Sequence, residues 1–210
     1  VKAARGEIVV FLDNDATALP DWLEHLLGSY SDPAVGGVGG KIINMPGSIT
    51  GFENGSIDAF GTVRLIHSPA RHAFPYIMGC NMSFRKSALE AIGLFDEALF
   101  YGYDEGDACV RFIRAGHKIV FEPRAVVYHH YLHGTTSKHH VDKAHSLAKY
   151  RRYFILKNFS GTLSVMDLLC FEGFNFLKNL WHFAWGVLGR GRKASPSRAV
   201  STLQGALAGY

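Results

Sequence analysis

Cysteine is scarce in this chain. Cys80, Cys109 and Cys170 are an odd and widely spaced set among 210 residues, which excludes a disulfide framework and points to reduced thiols. Long uncharged apolar runs are lacking as well. The most hydrophobic stretch, 165–188, is interrupted by Asp167, Glu172 and Lys178, leaving no run of about 18 to 20 apolar residues to span a bilayer. The opening Val1-Lys2-Ala3-Ala4-Arg5-Gly6-Glu7 has neither an initiator Met nor a signal-peptide hydrophobic region, so the expectation is a cytoplasmic fragment whose upstream part is missing. Zinc-site spacing is absent too. His129, His130, His133, His139, His140 and His145 have no Cys or acid at regular ligand intervals, and they read as a loop leaving a site.

What is present is a core and an uneven charge. Hydrophobic residues make up 48% of the chain, enough for one domain with an appendage. The formal net charge of +4 conceals two halves: residues 1–137 hold 11 Lys and Arg against 15 Asp and Glu, and residues 138–210 hold 11 against 3. An acidic front suits cation binding. A basic, aromatic tail suits an anionic surface.

Strands and helices alternate through roughly the first 130 residues. The apolar run from Ile8 to Leu12 ends in Asp13-Asn14-Asp15, so a buried strand delivers paired carboxylates to a sheet edge where a divalent cation and a diphosphate can meet. Pro20-Asp21-Trp22 opens a helix reaching about Tyr30. Residues 34–43 read as a strand, and Gly36-Gly37-Val38-Gly39-Gly40 within it reflects close backbone packing, since no helix follows to complete a phosphate cradle. Residues 45–75 are loop-like, with a short strand candidate at 62–66. Gly79-Cys80-Asn81 forms a turn ahead of a helix over 86–92 that Gly93 stops. Asp104, Glu105 and Asp107 crowd the start of a further helix ended by Gly116, and strands over 118–121 and 124–128 lead to His129. Three carboxylates in four residues repel one another and raise the pKa of at least one, as a general base requires; an N-terminal cap with an Asp107–Arg111 pair explains them equally well.

The order of these motifs resembles the inverting, nucleotide-sugar-dependent glycosyltransferases of family 2, with an α/β, mixed-sheet GT-A fold. The likeness runs through Ala4-Arg5-Gly6-Glu7, Leu12-Asp13-Asn14-Asp15, Pro20-Asp21-Trp22-Leu23, Gly79-Cys80-Asn81-Met82, Gly93-Leu94-Phe95-Asp96-Glu97, Asp104-Glu105-Gly106-Asp107, Arg111, Gly116 and Pro123 to His129. It is similar above all to the rhamnosyltransferase-like members that build bacterial surface polysaccharides. The resemblance implies a DxD motif in which Asp15 binds Mg²⁺ or Mn²⁺ on the donor diphosphate, Asp13 contacts the nucleotide or the metal shell, and His129 approaches the same ion. It implies that the acidic pair Asp104-Glu105 supplies the base from its second member, that Gly79 and Asn81 line the donor-sugar pocket, and that Asp107 and Arg111 organise the helix start. Many members have Glu-Asp where this chain has Asp104-Glu105. The implied partners are a nucleoside-diphosphate sugar and a glycan or lipid-linked acceptor, with no nucleic acid. The family's first βαβ region, which holds base and ribose, is expected upstream of Val1, so residues 1–137 read as the metal, sugar and acceptor part of the domain, inactive by itself.

The tail, 138–210, reads as two helices, 141–157 and 165–188, followed by Arg190, Arg192, Lys193 and Arg198. Aromatic weight beside cations favours an in-plane helix on the inner leaflet; packing against protein is the alternative. Two other function classes stay open. Asp13-Asn14-Asp15-Ala16-Thr17 also fits the opening motif of haloacid-dehalogenase-like, Mg²⁺-dependent phosphatases, with Asp13 as nucleophile, although no Lys in the right context accompanies it. The other is a non-catalytic membrane-docking module. The sugar-transfer reading requires Asp15, His129 and Glu105 to converge around one open cleft.

Overall fold

The computed structural model describes residues 1–45, 55–64, 72–100, 102–130 and 137–187, the side chains at 137–145, 179 and 182–187 excepted. His133 and the cations at 190, 192, 193 and 198 lie outside the described residues, as do the side chains of His139, His140 and His145.

The β-branched run Ile8-Val9-Val10 forms β1 (Ile8–Leu12), which pairs antiparallel with β7 (Asn81–Arg85) from Ile8 opposite Arg85 to Leu12 opposite Asn81. This register places the acids after Leu12 beside Cys80 and Gly79, which precede Asn81. Next to β7 lies β3 (Val35–Asn44), then β8 (Lys118–His129) parallel to β3, then the short edge strand β2 (Ala16–Ala18) antiparallel to β8. The order β1-β7-β3-β8-β2 is the mixed sheet expected of the fold.

Both faces of this sheet are covered. Met82 and Phe84 of β7 point toward α2 (Lys86–Ala91) and α3 (Asp104–Arg114), where they pack with Ala88, Leu89, Cys109 and Phe112, the rings of Phe84 and Phe112 stacking at 4.9 Å. The alternate residues Asn81 and Ser83 face α1 (Trp22–Gly28) and the 3₁₀ turn Ser29–Ser31, beside Leu26, Tyr30, Val35 and Val38. Burial of two polar residues there is offset by full hydrogen bonding: the Tyr30 and Ser83 hydroxyls meet at 2.9 Å, and Ser83 donates onward to the Val38 carbonyl.

The glycines of β3 reflect close packing. A Cβ at Gly39 would strike Ile77, and one at Gly40 would strike the Ala125 carbonyl and the Asn81 amide. The strands expected over 118–121 and 124–128 are one strand, interrupted where the register with β3 jumps at Gly40/Lys41. There Glu122 accepts hydrogen bonds from the Arg124 backbone and guanidinium, which holds its carboxyl down at about 2. The loop expected over 45–75 contains more order than its composition suggests: β4 (Gly55–Ile57), β5 (Val63–Arg64) and β6 (Phe74–Tyr76) form a small antiparallel sheet in the order β5-β4-β6. Its strands are two or three residues long, too short to show a periodicity.

The chain divides into two compact units. The first holds Val1–Asp58, Thr62–Phe100 and Asp104–Leu132; the second holds Ala59–Gly61, Tyr101–Tyr103 and His133–Tyr210. Within the second, α4 (Ser137–Phe159) and α5 (Val165–Val187) are the two expected helices. Ser164 and Asp167 cap α5 reciprocally, each backbone N–H bonding the other's side chain. Phe171 stacks on Phe60 at 4.7 Å beneath the Arg151 guanidinium, and Arg152 pairs with Glu172 at 2.7 Å. Among the described residues no helix is long and apolar enough to cross a membrane.

Candidate active site

The end of β1, the turn before β7 and the end of β8 meet at one sheet edge. Strand β2 pairs Ala16 with His129, and the His130 N–H donates to the Asp15 carbonyl at 2.7 Å, so Asp15 is pinned beside the histidine by backbone pairing alone. Asp15 Oδ1 lies 3.3 Å from His129 Nε2. The opposite ring nitrogen, Nδ1, donates to Asn44 Oδ1 at 3.0 Å, a contact made possible because Asn44 pairs directly with His129 across β3 and β8. With Nδ1 carrying the hydrogen, Nε2 presents a lone pair to a carboxylate. Two acceptors 3.3 Å apart are satisfied by a shared proton or by a cation between them.

Asp13, Cys80 and His129 each offer a ligand atom, and these atoms lie within 4.8 Å of one another. Side chains suited to a divalent cation are therefore assembled: Asp13 is exposed, Asp15 is two-fifths exposed, and His129 is mostly enclosed. Oxygen and imidazole donors of this kind fit Mn²⁺ or Mg²⁺.

The second acid pair comes from the start of α3. The Glu105 carboxylate accepts hydrogen bonds from its own backbone N–H and from that of Gly79. A Cβ at Gly79 would lie 2.6 Å from Glu105 Oε1, so a side chain there would push the carboxylate away from its present position. Burial, then the charge of Asp104 and its hydrogen bond to Glu105, push the Glu105 carboxyl up to about 8. Asp104 and Glu105 thus form a pair that holds one proton more tightly than ordinary carboxylates do.

Cys80 links the two pairs. Its thiol is buried, and burial together with the nearby charges of Asp13, Glu105 and Asp15 pushes it up to about 12. The three acids therefore lie within electrostatic reach of one atom. The structure brings together Asp13, Asp15, Gly79, Asp104, Glu105 and His129 around it.

Asn81 is a correction. It begins a central strand instead of ending a turn, is completely buried, and its side chain is committed: Oδ1 accepts from Trp22 Nε1 at 2.8 Å, and Nδ2 donates to the carbonyls of Lys41 and Ala125 at 3.0 and 2.9 Å. A clamp joining β7, β3, β8 and α1 has no atom left for a sugar hydroxyl. Asp107 is fully buried against Arg111, Nε to Oδ2 at 2.8 Å, and Arg111 also donates to the Ile92 carbonyl, tying α3 to the end of α2. The sequence assigns no site role to Cys80 or Asn44: Cys80 sits within the Gly79-Cys80-Asn81 segment, whereas Asn44 becomes meaningful only through a pairing with a residue 85 positions away.

Comparison with known proteins adds to this geometry. A pre-mycofactocin glycosyltransferase of Mycobacterium tuberculosis is 34% identical over 134 residues, covering 60% of this chain and 27% of that protein. The uncharacterized protein y4gI of Sinorhizobium fredii is 28% identical over 167 residues, 72% of this chain and 18% of its own length. The chain thus spans about a quarter or less of the curated relatives it matches. Among solved structures, the mannosyltransferase PcManGT from Pyrobaculum calidifontis, in complex with GDP-Man and Mn²⁺, superposes with a TM-score of 0.53 at 15% identity, over 99% of this chain and 63% of that one. Residues 1–93, which contain Asp13, Asp15 and Gly79, match the family model described as Glycosyl transferase family 2. The chain therefore has a mixed-sheet fold of GT-A type, and its first 93 residues are similar to the family 2 glycosyltransferases.

Proposed function

We propose that the protein containing this chain transfers a sugar from a nucleoside-diphosphate donor to a glycan or lipid-linked hydroxyl acceptor, with inversion at the sugar carbon. The observation that carries this reading is the grouping of Asp13, Asp15 and Glu105 around Cys80, with His129 beside Asp15. Asp15 and His129 would hold Mn²⁺ or Mg²⁺, with Asp13 beside His129. Such an ion would neutralise the charge developing on the departing diphosphate. Asn44 keeps the His129 ring turned toward Asp15.

Glu105 takes the acceptor proton. As the acceptor oxygen bonds to the sugar carbon, the bond from that carbon to the diphosphate oxygen breaks, the hydroxyl proton passes to a Glu105 oxygen, and the nucleoside diphosphate leaves. A carboxyl near 8 is a stronger base than an ordinary glutamate once ionised, and Gly79 and Asp104 set its position and its proton affinity. Asp107 and Arg111 hold α3 in place without touching the reacting atoms.

A cytoplasmic, inner-leaflet location in surface polysaccharide synthesis extends this reading. On α5, Met166, Leu169, Phe176, Leu177, Leu180 and Trp181 are exposed, whereas Phe171 and Glu172 face Phe60, Arg151 and Arg152. An apolar face followed by a cationic segment suits docking on anionic lipid. The protein should sediment with anionic vesicles and lose this on Leu177→Glu; equal sedimentation of both would remove the membrane part.

The haloacid-dehalogenase-like phosphatase is not favoured, since the mixed-sheet fold is that of a GT-A mannosyltransferase and Asp15 is turned to a histidine. The experiment is a screen of nucleotide sugars on the longest natural form of the protein with Mn²⁺ and with Mg²⁺. Metal-dependent nucleoside diphosphate release with an acceptor supports sugar transfer. Release of phosphate from small phosphomonoesters, with no donor consumed, would contradict it.

A further inference from the structure

Cys80 has no part in the mechanism above, yet its sulfur occupies the centre of the site. We propose that Cys80 makes this sheet edge a binding site for a thiophilic divalent cation of the Zn²⁺ and Cd²⁺ class, held by Asp13, Cys80 and His129. Binding stands apart from the sugar-transfer reading; only the consequence for turnover rests on it.

The geometry is that of an assembled ligand set. Sγ of Cys80, a carboxylate oxygen of Asp13 and a ring nitrogen of His129 lie within 4.8 Å of one another. Ligands sharing one tetrahedral ion stand roughly 3.3 to 3.8 Å apart, given metal–sulfur, metal–nitrogen and metal–oxygen bonds of about 2.0 to 2.3 Å. Asp13 is exposed, so rotation of its side chain can bring the carboxylate toward Cys80, which directly precedes β7, and toward His129, which is held by Asn44. Asp15 lies 3.3 Å from the His129 Nε2 atom but outside the three-residue cluster, so the fourth position is left to solvent.

Donor chemistry sets the selectivity. A carboxylate-and-imidazole site accepts Mn²⁺ or Mg²⁺, but a thiolate adds affinity only for softer ions. As the sulfur–metal bond forms, the thiol proton goes to solvent and the cation's charge is met by the thiolate and the Asp13 carboxylate. Such an ion would occupy His129, a group also assigned to the catalytic cation, so Zn²⁺ is expected to inhibit sugar transfer in competition with Mn²⁺.

The test is a titration of the protein with Cd²⁺ in the absence of nucleotide, reading the sulfur-to-cadmium charge-transfer absorption in the ultraviolet. The expected result is a band that saturates at one equivalent, survives Cys170→Ser and disappears in Cys80→Ser, with affinity falling about tenfold or more in His129→Gln. A band that survives Cys80→Ser, or no band in the wild type, would overturn the proposal. X-ray absorption of the Zn²⁺-loaded wild type needs no substitution and guards against a misfolded variant: a sulfur scatterer at about 2.3 Å supports the site, and a shell of oxygen and nitrogen alone contradicts it. Neither readout depends on a donor sugar, so failure here leaves the transferase reading standing, and failure of the donor screen leaves the cadmium band unaffected.

Discussion

Two pairs of acids flank Cys80, and their surroundings make them different chemical tools. Asp13 and Asp15 follow a strand end, stay open to solvent and face an imidazole that a neighbouring strand orients. Asp104 and Glu105 begin a helix, hydrogen-bond to each other and lose solvent, so one proton is retained up to about pH 8. The first environment favours a cation and the second a proton. Residue type alone does not separate these roles; exposure and the identity of the nearest partner do.

This contrast is broken most severely at Asp15. Asp15→Ala should lower metal-dependent turnover by about 10³-fold or more, the several kcal/mol a metal ion supplies to a departing anion, and steady-state kinetics with Mn²⁺ would measure it. Asn44→Ala should act more weakly and on the cation side alone: Mn²⁺ affinity falls about 10- to 100-fold while the pH profile keeps its shape, measurable by calorimetry beside kcat/KM. A change in the pH profile without a change in Mn²⁺ affinity would put Asn44 on the wrong side of the comparison.

The proton side is sharpened by pH. Activity should rise with pH toward a plateau above about 8 as Glu105 ionises. Asp104→Asn removes the charge that opposes this, so the profile should move to lower pH and the rate at pH 7 should rise about fivefold for a one-unit drop. Stability carries the opposite sign. The Glu105 carboxyl binds its proton more tightly folded than at its ordinary 4.5, so its contribution is complete below about 4.5 and is lost as pH rises through about 8. Thermal melts of the wild type and Glu105→Gln should therefore diverge as pH rises from about 4.5 to about 8, with the variant gaining, and keep a constant gap at higher pH.

The parts of this site legible in the sequence were those with local signatures. An apolar run that stops at Asp13-Asn14-Asp15 and a helix that starts with Asp104-Glu105 announce themselves within a few residues. The pairing of β1 with β7 and of β3 with β8, which brings these segments to Cys80 and Asn44, has no local trace. Asn81 shows the cost of that blindness. An asparagine after Gly79-Cys80 reads as a turn and a polar site residue, but its partners are Trp22, Lys41 and Ala125, forty or more positions away, and they make it part of the core. Of the small sheet, β5 falls within the strand candidate at 62–66, whereas β4 and β6 are too short for alternation to register.

The most direct test is to separate binding from turnover in Glu105→Gln, measuring donor and Mn²⁺ affinity by calorimetry and product formation by nucleoside diphosphate release. The substitution keeps the shape of the side chain and removes its ability to accept a proton. Unchanged donor and Mn²⁺ affinity with kcat reduced about 10²- to 10⁴-fold is the predicted result. Wild-type turnover in Glu105→Gln would contradict the assignment of Asp15 with His129 and of Glu105 to two halves of one reaction.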